Sequence, residues 1–427
     1  MTRSRKRKRN ELEAKLSSPQ CFYLGIDPTA SSLHIGNLLP LIALLHCQRA
    51  GHNAVVLIGG ATAQIGDPSG KNSERNPIDK IHIRENVSSI RMIIEKIQKN
   101  FDDMFQKDNP GSFTILNNED WYSQINLVEF LSTYGRHFRM GPLLSRETVQ
   151  TRLKGEQGLS LCEFTYQIFQ SYDWFHLMNK YNCYIQIGGN DQTGNIVSGY
   201  EFIQRVKKDT VFGLTVPLIT DSSGAKLGKS AGNSVWLDGI QTSAYELYQF
   251  FINLPDDDME RMLSLFTFLP IDSIKKLINL HLENPSERMA QKKLAVEVVK
   301  LVHGEVGVEI AEKYSAILFG KNEDVAKMIG DLDGTELQNL FKNASTTQIQ
   351  FENGMKLSDI CMAAKCFKRN KDADRIIRQG GVKLNEQKVL DPEYRIDEAS
   401  AILKNGISVI KVGKKKYYII EWFPARS

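Results

Sequence analysis

Short, nearly all-apolar runs alternate with helical patterns in the first part of the chain. The run CFYLGID at 21–27 is apolar and ends on an acid, and NAVVLIGGA at 53–61 is a second apolar run. Between them LLPLIALLHCQRAG reads as a helix with Gly51 just past its end, and Pro40 is tolerable only in its first turn. Apolar strands joined by a helix predict a parallel sheet that is buried on both faces.

The rest of the chain divides by pattern into further segments. A more helical stretch precedes CYIQIGG at 183–189, and this segment is predicted to be another buried strand. We therefore predict an α/β fold: a Rossmann-like nucleotide-binding catalytic domain at 21–240, with a helical insertion at about 72–182 between its halves. An α-helical domain at 241–335, a linker at 336–354 and a small α+β domain at 355–427 follow.

Composition limits the class of protein. A chain of 427 residues is too long for one ordinary core, and no apolar run is long enough to span a bilayer, so we expect no membrane partner. Six cysteines without a CxxC pair predict free thiols and no metal site. Residues 1–20 begin with MTRSRKRKRN, which fits a mitochondrial presequence, an RNA-binding arm, a nuclear signal or merely a basic tail.

Three short motifs suggest phosphate chemistry. HIGN at 34–37 lies where a strand gives way to a helix, and helix starts favour phosphates. GGNDQTGN at 188–195 follows a buried strand, at the edge of the sheet where such folds bind ligands. KLGKS at 226–230 carries two ammonium groups that could stabilise a departing pyrophosphate. Each motif alone is equally an ordinary turn or cap, but their order together favours an ATP site.

Further polar residues extend this candidate site. Asp67 lies on a loop beside Pro68, and Tyr166, Gln170 and Asp173 share one face of a predicted helix. Polar groups within an apolar helix need either buried hydrogen bonds or a polar ligand, and the sequence leaves both readings open.

Taken together, these motifs resemble the tyrosyl-tRNA synthetases of the bacterial and mitochondrial type, which are class I aminoacyl-tRNA synthetases. The resemblance runs from about residue 23 to 422, through FYLGIDPTASSLHIGN, GGATAQIGDPSG, FTYQIFQSYD, QIGGNDQTGN and AKLGKSAGN in order. It is closest to the animal mitochondrial members. It implies that L-tyrosine is activated with ATP to tyrosyl-adenylate and pyrophosphate, and that the tyrosyl group then passes to the 3′ end of tRNA(Tyr).

The resemblance also assigns roles to residues of this chain. The implied tyrosine-binding residues are Tyr23, Asp67, Tyr166, Gln170, Asp173, Gln186 and Gln192. The implied ATP-binding residues are Asp27, Thr29, His34, Gly36, Asn37, Gly189, Asp191, Lys226 and Lys229. The implied catalytic residues are Thr29, His34, Lys226, Lys229 and Ser230. ATP is expected as a substrate with Mg²⁺, and no tightly bound cofactor is expected. Asn37 stands where the family usually has a histidine, but its side-chain amide can still donate and accept hydrogen bonds.

The resemblance further implies a homodimer in the mitochondrial matrix, with a bacterial cytoplasm as the alternative. The segment 355–427 resembles a small RNA-binding domain shared with a ribosomal protein, and the helices at 241–335 an anticodon-binding domain. Rival readings are a tryptophanyl-tRNA synthetase, a nucleotidyltransferase, or an RNA-binding factor such as the intron-splicing relatives. Tyr23 and Asp173 disfavour the first of these, because an indole does not call for that carboxylate.

Overall fold

The computed structural model describes residues 3–70, 73–74, 76–105, 111–220, 229–230, 233–319, 325–342, 344–413 and 416–423. The chain divides into two units, Met1–Val308 and Glu309–Ser427, and each holds one five-stranded sheet.

The sheet of the first unit is parallel throughout. Its strands are β1 (Cys21–Ile26), β2 (Asn53–Ile58), β3 (Phe113–Asn117), β4 (Cys183–Gly189) and β5 (Phe212–Val216), in the spatial order β3-β2-β1-β4-β5. A separate hairpin pairs β6 (Lys229–Ser230) with β7 (Asn233–Ser234). Strand order reverses between β1 and β4, and this is where open α/β folds bind ligands. The predicted Rossmann-like α/β fold is confirmed.

Thirteen helices begin in this unit among the described residues. They are α1 (Arg3–Lys15), α2 (Ile35–Arg49), α3 (Lys80–Phe105), α4 (Glu119–Tyr122), α5 (Leu127–Thr133), α6 (Met140–Leu144), α7 (Glu147–Leu153), α8 (Leu161–Tyr181), α9 (Thr193–Lys207), α10 (Ala244–Ile252), α11 (Met259–Phe266), α12 (Ile271–Glu283) and α13 (Met289–Phe319). Helix α13 is kinked at Gly304, whose φ is +80°.

Strand β3 lies inside the stretch that we expected to be a helical insertion. Its residues pair in parallel with β2 from Ala54↔Phe113 to Ile58↔Asn117. As the edge strand it is only partly buried, so its sequence FTILN lacks the long apolar run that marks β1 and β2. The first half of the sheet therefore has three strands, and the mostly helical stretch begins after Asn117.

Helix α2 begins earlier than its apolar pattern suggested. It starts at Ile35, so Pro40 lies beyond the first turn and not within it. Proline has no N–H, so the carbonyl of Gly36, four residues earlier, receives no helical hydrogen bond from position 40. The helix tolerates this near its start, where Pro40 and Gly36 both line a cavity.

Helix α8 carries the functional face of the insertion into the core. Trp174 and Leu177 are fully buried against the sheet side, in a cluster with Phe202 of α9 and Tyr23 of β1. Ser160 caps the helix start by accepting from the N–H of Glu163. This packing fixes the rotation of α8 and turns its polar stripe towards the end of β1.

The second unit is built on a mixed sheet. Its strands are β8 (Ser345–Gln350), β9 (Val382–Leu384), β10 (Gln387–Val389), β11 (Ile407–Val412) and β12 (Lys416–Phe423), in the order β10-β9-β11-β12-β8. Helices α14 (Val325–Gly330), α15 (Gly334–Leu340), α16 (Leu357–Ala363), α17 (Asn370–Arg378) and α18 (Glu398–Ala401) accompany it. Leu357, Ile377 and Ile420 lie in its core.

The stretch 336–354, expected to be a linker, contains regular structure instead. Helix α15 covers most of its start, and β8 pairs in parallel with β12 from Ser345↔Tyr418 to Gln350↔Phe423. The strand STTQIQ is polar and mostly exposed at the sheet edge, so its sequence resembles a linker. Within the described ranges of the chain, no helix has the length and apolarity that crossing a bilayer would require.

Candidate active site

A cavity of about 470 Å³ opens where β1 and β4 end, at the reversal of strand order. Fourteen of the residues singled out from the sequence line it: Tyr23, Asp27, Thr29, His34, Gly36, Asn37, Asp67, Tyr166, Gln170, Asp173, Gln186, Gly189, Asp191 and Gln192. Strands β1 and β4, helix α8 and the start of α2 supply most of them. The topology thus brings together residues that lie up to 169 positions apart, from Tyr23 to Gln192.

Asp173 is the buried acid of this cavity. Only 3% of its surface is exposed. Its Oδ1 accepts a hydrogen bond from Trp121 Nε1 at 3.0 Å, and its Oδ2 accepts one from Asn118 Nδ2 at 3.1 Å. Burial raises the pKa of this carboxyl to about 7, against the lowering effect of these donors. Near neutral pH it can therefore exchange a proton.

Three buried polar atoms of residues that line the cavity have no hydrogen-bond partner within the described part of the chain. They are the hydroxyl of Tyr23 and the Oε1 atoms of Gln170 and Gln186. Burial beside Asp173 raises the pKa of the Tyr23 phenol well above its usual value, so this hydroxyl stays neutral. Leaving a buried donor or acceptor unpaired costs about 1–3 kcal/mol. Three such atoms facing one cavity indicate a site built for a polar ligand.

Asp27 follows β1 and links two elements at the cavity wall. Tyr166 donates its hydroxyl to Asp27 Oδ2 at 2.9 Å, and Thr62 donates to Oδ1 at 2.8 Å. A Cβ at Gly59 would lie 2.0 Å from Asp27 Oδ1, so the carboxylate sits against bare backbone. The hydroxyl of Tyr166, which the resemblance assigns to tyrosine binding, is thus hydrogen-bonded to Asp27.

Asp67 forms the centre of a second polar cluster. Its Oδ2 accepts from Gln192 Nε2 at 2.6 Å, and its Oδ1 accepts from the N–H of Ser69 at 2.9 Å. Asn195 Nδ2 lies 3.3 Å from the same Oδ1. These donors orient a carboxylate that is 7% exposed, leaving it suited to a cationic group in the cavity.

His34 caps helix α2 at the opposite end of the cavity. Its Nδ1 accepts from the N–H of Gly36 at 3.0 Å, and Asn37 Oδ1 accepts from the N–H of His34 at 3.1 Å. Asn37 therefore completes a capping box, a structural role that we did not anticipate. With Nδ1 accepting, a neutral ring carries its proton on Nε2 and offers a donor.

The KLGKS motif is only partly described. Lys226 lies outside the described residues, and Lys229 and Ser230 are described only by the backbone pairing of β6 with β7. Ser234 of β7 lines the cavity, which places this hairpin at its rim. Gly189 ends β4 at the same rim, where an added Cβ would lie 2.4 Å from Asp191 Oδ1.

Several supporting residues escaped the sequence analysis. Asn118 and Trp121 hold Asp173, Thr62 holds Asp27, and Asn118 Nδ2 also donates to Thr62 Oγ1 at 3.0 Å. Asn118 immediately follows β3, so recognising FTILN as a strand would have placed it at the ligand-binding edge of the sheet. No comparable signal marks Thr62. Among the described residues no group of three or more His, Cys, Asp or Glu side chains could hold a metal ion.

Comparisons with known proteins agree with this geometry. Residues 15–320 match the family described as "tRNA synthetases class I (W and Y)", and residues 336–420 match the "Tyrosine--tRNA ligase SYY-like C-terminal domain". The chain is 47% identical to the mitochondrial tyrosine–tRNA ligase of Homo sapiens over 95% of this chain and 85% of that protein. Identity to the mitochondrial ligase of Saccharomyces cerevisiae is 37%, over 97% and 87%.

A solved structure is also similar. The C-terminally truncated mitochondrial tyrosyl-tRNA synthetase of Aspergillus nidulans matches with a TM-score of 0.66 and 35% identity, over 72% of this chain and 89% of that one. The fold and the cavity at the strand-order reversal are those of the class I aminoacyl-tRNA synthetases. Within that class, the chain belongs to the tyrosine–tRNA ligase family.

Proposed function

We propose that the cavity binds L-tyrosine with its phenol between Tyr23 and Asp173. The unpaired Tyr23 hydroxyl and the Asp173 carboxylate can both hydrogen-bond a substrate hydroxyl, and this pairing is the observation that carries the assignment. Phenylalanine would leave both groups buried without that partner, at about 1–3 kcal/mol each. The enzyme is a tyrosine–tRNA ligase, and this pair is proposed to read its amino acid.

The α-ammonium of the substrate is placed at the second polar cluster. Asp67 supplies the negative charge, while Gln170 Oε1 is a buried acceptor that no described residue satisfies. Tyr166 would reach the ammonium by sharing its hydroxyl between Asp27 and the ligand. Gln186 Oε1, also unpaired, lies near the substrate, and Gln192 near its carboxylate. Tyrosine thus completes hydrogen bonds that the protein leaves open.

ATP, the second substrate, is placed at the His34 end of the cavity. Thr29, His34, Gly36, Asn37, Gly189 and Asp191 line that end, and the His34 ring presents a donor for a phosphate oxygen. The tyrosine carboxylate attacks the α-phosphate, the bond to pyrophosphate breaks, and tyrosyl-adenylate forms. Lys226, Lys229 and Ser230 are proposed to stabilise the departing pyrophosphate, and Mg²⁺ would arrive with ATP. The protein therefore acts by positioning and electrostatics.

Transfer to the 3′ end of tRNA(Tyr) completes the reaction. In the second unit, helix α17 presents Lys371, Arg375 and Arg378 along a shallow surface concavity. Clustered basic side chains on one helix suit a phosphate backbone. We propose that 355–427 contacts the tRNA, with β8 completing the sheet of this domain, and that the helices at 241–335 contact the anticodon arm.

A homodimer is proposed from an apolar surface in the insertion. The exposed apolar side chains of its helices α5 to α7 are Leu127, Val128, Leu131, Met140, Leu144 and Leu153. Leu127 and Leu131 stand one helical turn apart, 67% and 55% exposed. Exposed apolar groups at this density are typical of protein interfaces, and a second copy of the chain is the proposed partner.

The mitochondrial matrix is the proposed compartment. The mitochondrial ligases of animals and yeast resemble this chain over most of its length. The basic, acid-free run at 1–10 fits a targeting segment.

ATP–pyrophosphate exchange tests the proposal directly. Purified protein would be assayed with tyrosine, phenylalanine and tryptophan separately, each without tRNA. Exchange with tyrosine alone is the expected result and would support the pocket assignment. Exchange with tryptophan, or none by folded protein, would refute it.

The loop residues are tested by Lys229→Ala. Because Lys229 is proposed to act on charge that develops in the transition state, the variant should form tyrosyl-adenylate slowly while binding tyrosine normally. A defect confined to tyrosine affinity would contradict this role.

A further inference from the structure

The segment after the KLGKS hairpin pairs with the HIGN motif. Ile35 donates its N–H to the carbonyl of Val235 at 3.0 Å, and Leu237 donates to Leu33 at 2.8 Å. These two bonds flank an antiparallel bridge between His34 and Trp236. The segment 235–237, which follows KLGKS by five residues, is thus joined to the HIGN motif by backbone hydrogen bonds.

The bonding pattern fixes the side-chain directions of the bridged pair. The hydrogen bonds belong to the neighbours of His34 and Trp236, so the two residues form a non-hydrogen-bonded pair, with Cα atoms typically about 4.5 Å apart. Side chains of such a pair project to the same face and approach closely. Both line the cavity, and their ring centroids lie 6.3 Å apart at 55°.

Hydrogen bonds also anchor the backbone around Trp236. Its N–H donates to the hydroxyl of Thr242 at 3.0 Å, and Thr242 is buried immediately before the cap of α10. Asp238 donates its N–H to Ser32 Oγ at 3.1 Å and anchors the following turn. The backbone at Trp236 is therefore anchored by the residue that precedes the cap of α10, while its side chain lines the cavity.

The His34 ring lies beside the Trp236 indole, and the two ring planes are tilted by 55°. Its Nδ1 accepts a hydrogen bond from the N–H of Gly36, and this bond restricts the orientation of the ring. The neighbouring indole restricts the remaining rotation, since aromatic pairs favour tilted contacts at such centroid distances. The Nε2 donor is then oriented by two independent constraints.

We infer that Trp236 is a positioning residue for tyrosine activation: it holds the His34 imidazole in line with the ATP phosphates. This inference rests on the proposed function of the cavity. Trp236 acts through His34 and on the ATP end, so it should affect the activation step and leave tyrosine binding unchanged.

The test uses the full-length enzyme and four variants: Trp236→Ala, Trp236→Phe, His34→Ala and the double change Trp236→Ala/His34→Ala. Trp236→Ala should lower kcat for tyrosine-dependent exchange roughly tenfold, the loss expected for one aromatic contact that orients a reacting group. Its Kd for tyrosine by equilibrium dialysis should match the wild type. Trp236→Phe keeps a ring and should restore most of the loss.

The double variant separates positioning from general stability. If Trp236 acts through His34, adding Trp236→Ala to His34→Ala should cause no further loss of kcat. Trp422→Phe, in the second unit, is the matched tryptophan control and should leave exchange unchanged. The inference is wrong if the losses of kcat in the two single variants multiply in the double variant. It is also wrong if the Trp236→Ala enzyme is as fast as the wild type. A wild-type enzyme that shows no ATP–pyrophosphate exchange with tyrosine would instead refute the proposed function.

Discussion

Asn118 donates one hydrogen bond to Asp173, from Nδ2 to Oδ2 at 3.1 Å, and so ties the end of β3 to the face of α8. Asn118→Ala removes this donor from a buried carboxylate. A hydrogen bond to a charged group contributes about 1.5–3 kcal/mol, so KM for tyrosine should rise about tenfold or more in exchange assays. Asn126→Ala removes a side chain that caps α5 outside the cavity, and serves as control. Equal effects from both variants would count against the role of Asn118.

The pKa of Asp173 predicts a pH dependence of stability. Burial raises this pKa from 3.8 to about 7, so the folded protein holds the proton more tightly than the unfolded chain. The contribution of this group to stability is therefore largest below about pH 4 and is lost as pH rises to about 7.

Asp173→Asn should abolish that dependence, because an amide does not titrate. The measurement is the denaturant midpoint of wild type and variant without tyrosine, near pH 5 and near pH 8. The wild type should lose more stability than the variant between these values. Parallel losses would mean that Asp173 does not titrate in this range.

Tyr23→Phe should separate stability from specificity. The hydroxyl is buried and none of the described residues pairs with it, so removing it should leave the ligand-free enzyme as stable or slightly more stable. With substrate present, the preference for tyrosine over phenylalanine should fall by about tenfold, measured as the ratio of kcat/KM values. A variant that is destabilised yet equally selective would show that the hydroxyl serves the fold.

Leu131→Asp tests the apolar surface of the insertion. A charge at the centre of a buried interface is costly, so sedimentation velocity should show a monomer where the wild type is a dimer. Leu280→Asp introduces the same charge at a side chain of α12 that is 51% exposed and should leave the dimer intact. A monomeric wild type, or dimers for both variants, would remove this surface as the interface.

Removal of residues 325–427 tests the part of the second unit that follows α13. The truncated relative from Aspergillus nidulans shows that a related chain without its C-terminal part can be obtained folded. Tyrosine-dependent exchange should persist, while tRNA charging should fall at least about tenfold as basic phosphate contacts are lost. Circular dichroism provides the folding control. Equal loss of both activities in folded protein would show that the unit serves activation as well.

The sequence predicted the residues that line the cavity better than the residues that hold those side chains in place. Asp173, Tyr166 and Gln170 were recognisable because helical spacing places them on one face, and the motifs at 34–37 and 188–195 lie at strand ends where ligands bind. Asp173, Tyr166 and Gln170 line the same cavity, together with three residues of the first motif and four of the second. The individual roles within it remain predictions, since a pattern locates a side chain but does not orient it.

The elements and contacts that the sequence analysis missed are edge strands and hydrogen bonds between residues far apart in the sequence. FTILN and STTQIQ are partly exposed, so neither has the apolar run that revealed β1, β2 and β4. Without β3, Asn118 had no assigned place, and the capping role of Asn37 depends on backbone geometry at His34. Pairings such as Asn118 with Asp173 join positions 55 residues apart and leave no local periodicity.

The position of β12 also governs when the second unit can form. This strand follows the other four strands of the sheet in sequence, yet it lies between β11 and β8 and bonds to both. Without it, β8 has no neighbour in the sheet and β11 has an open edge. A deletion of Lys416–Phe423 would therefore leave β8 without a strand partner and β11 paired with β9 alone, so the loss would extend well beyond eight residues.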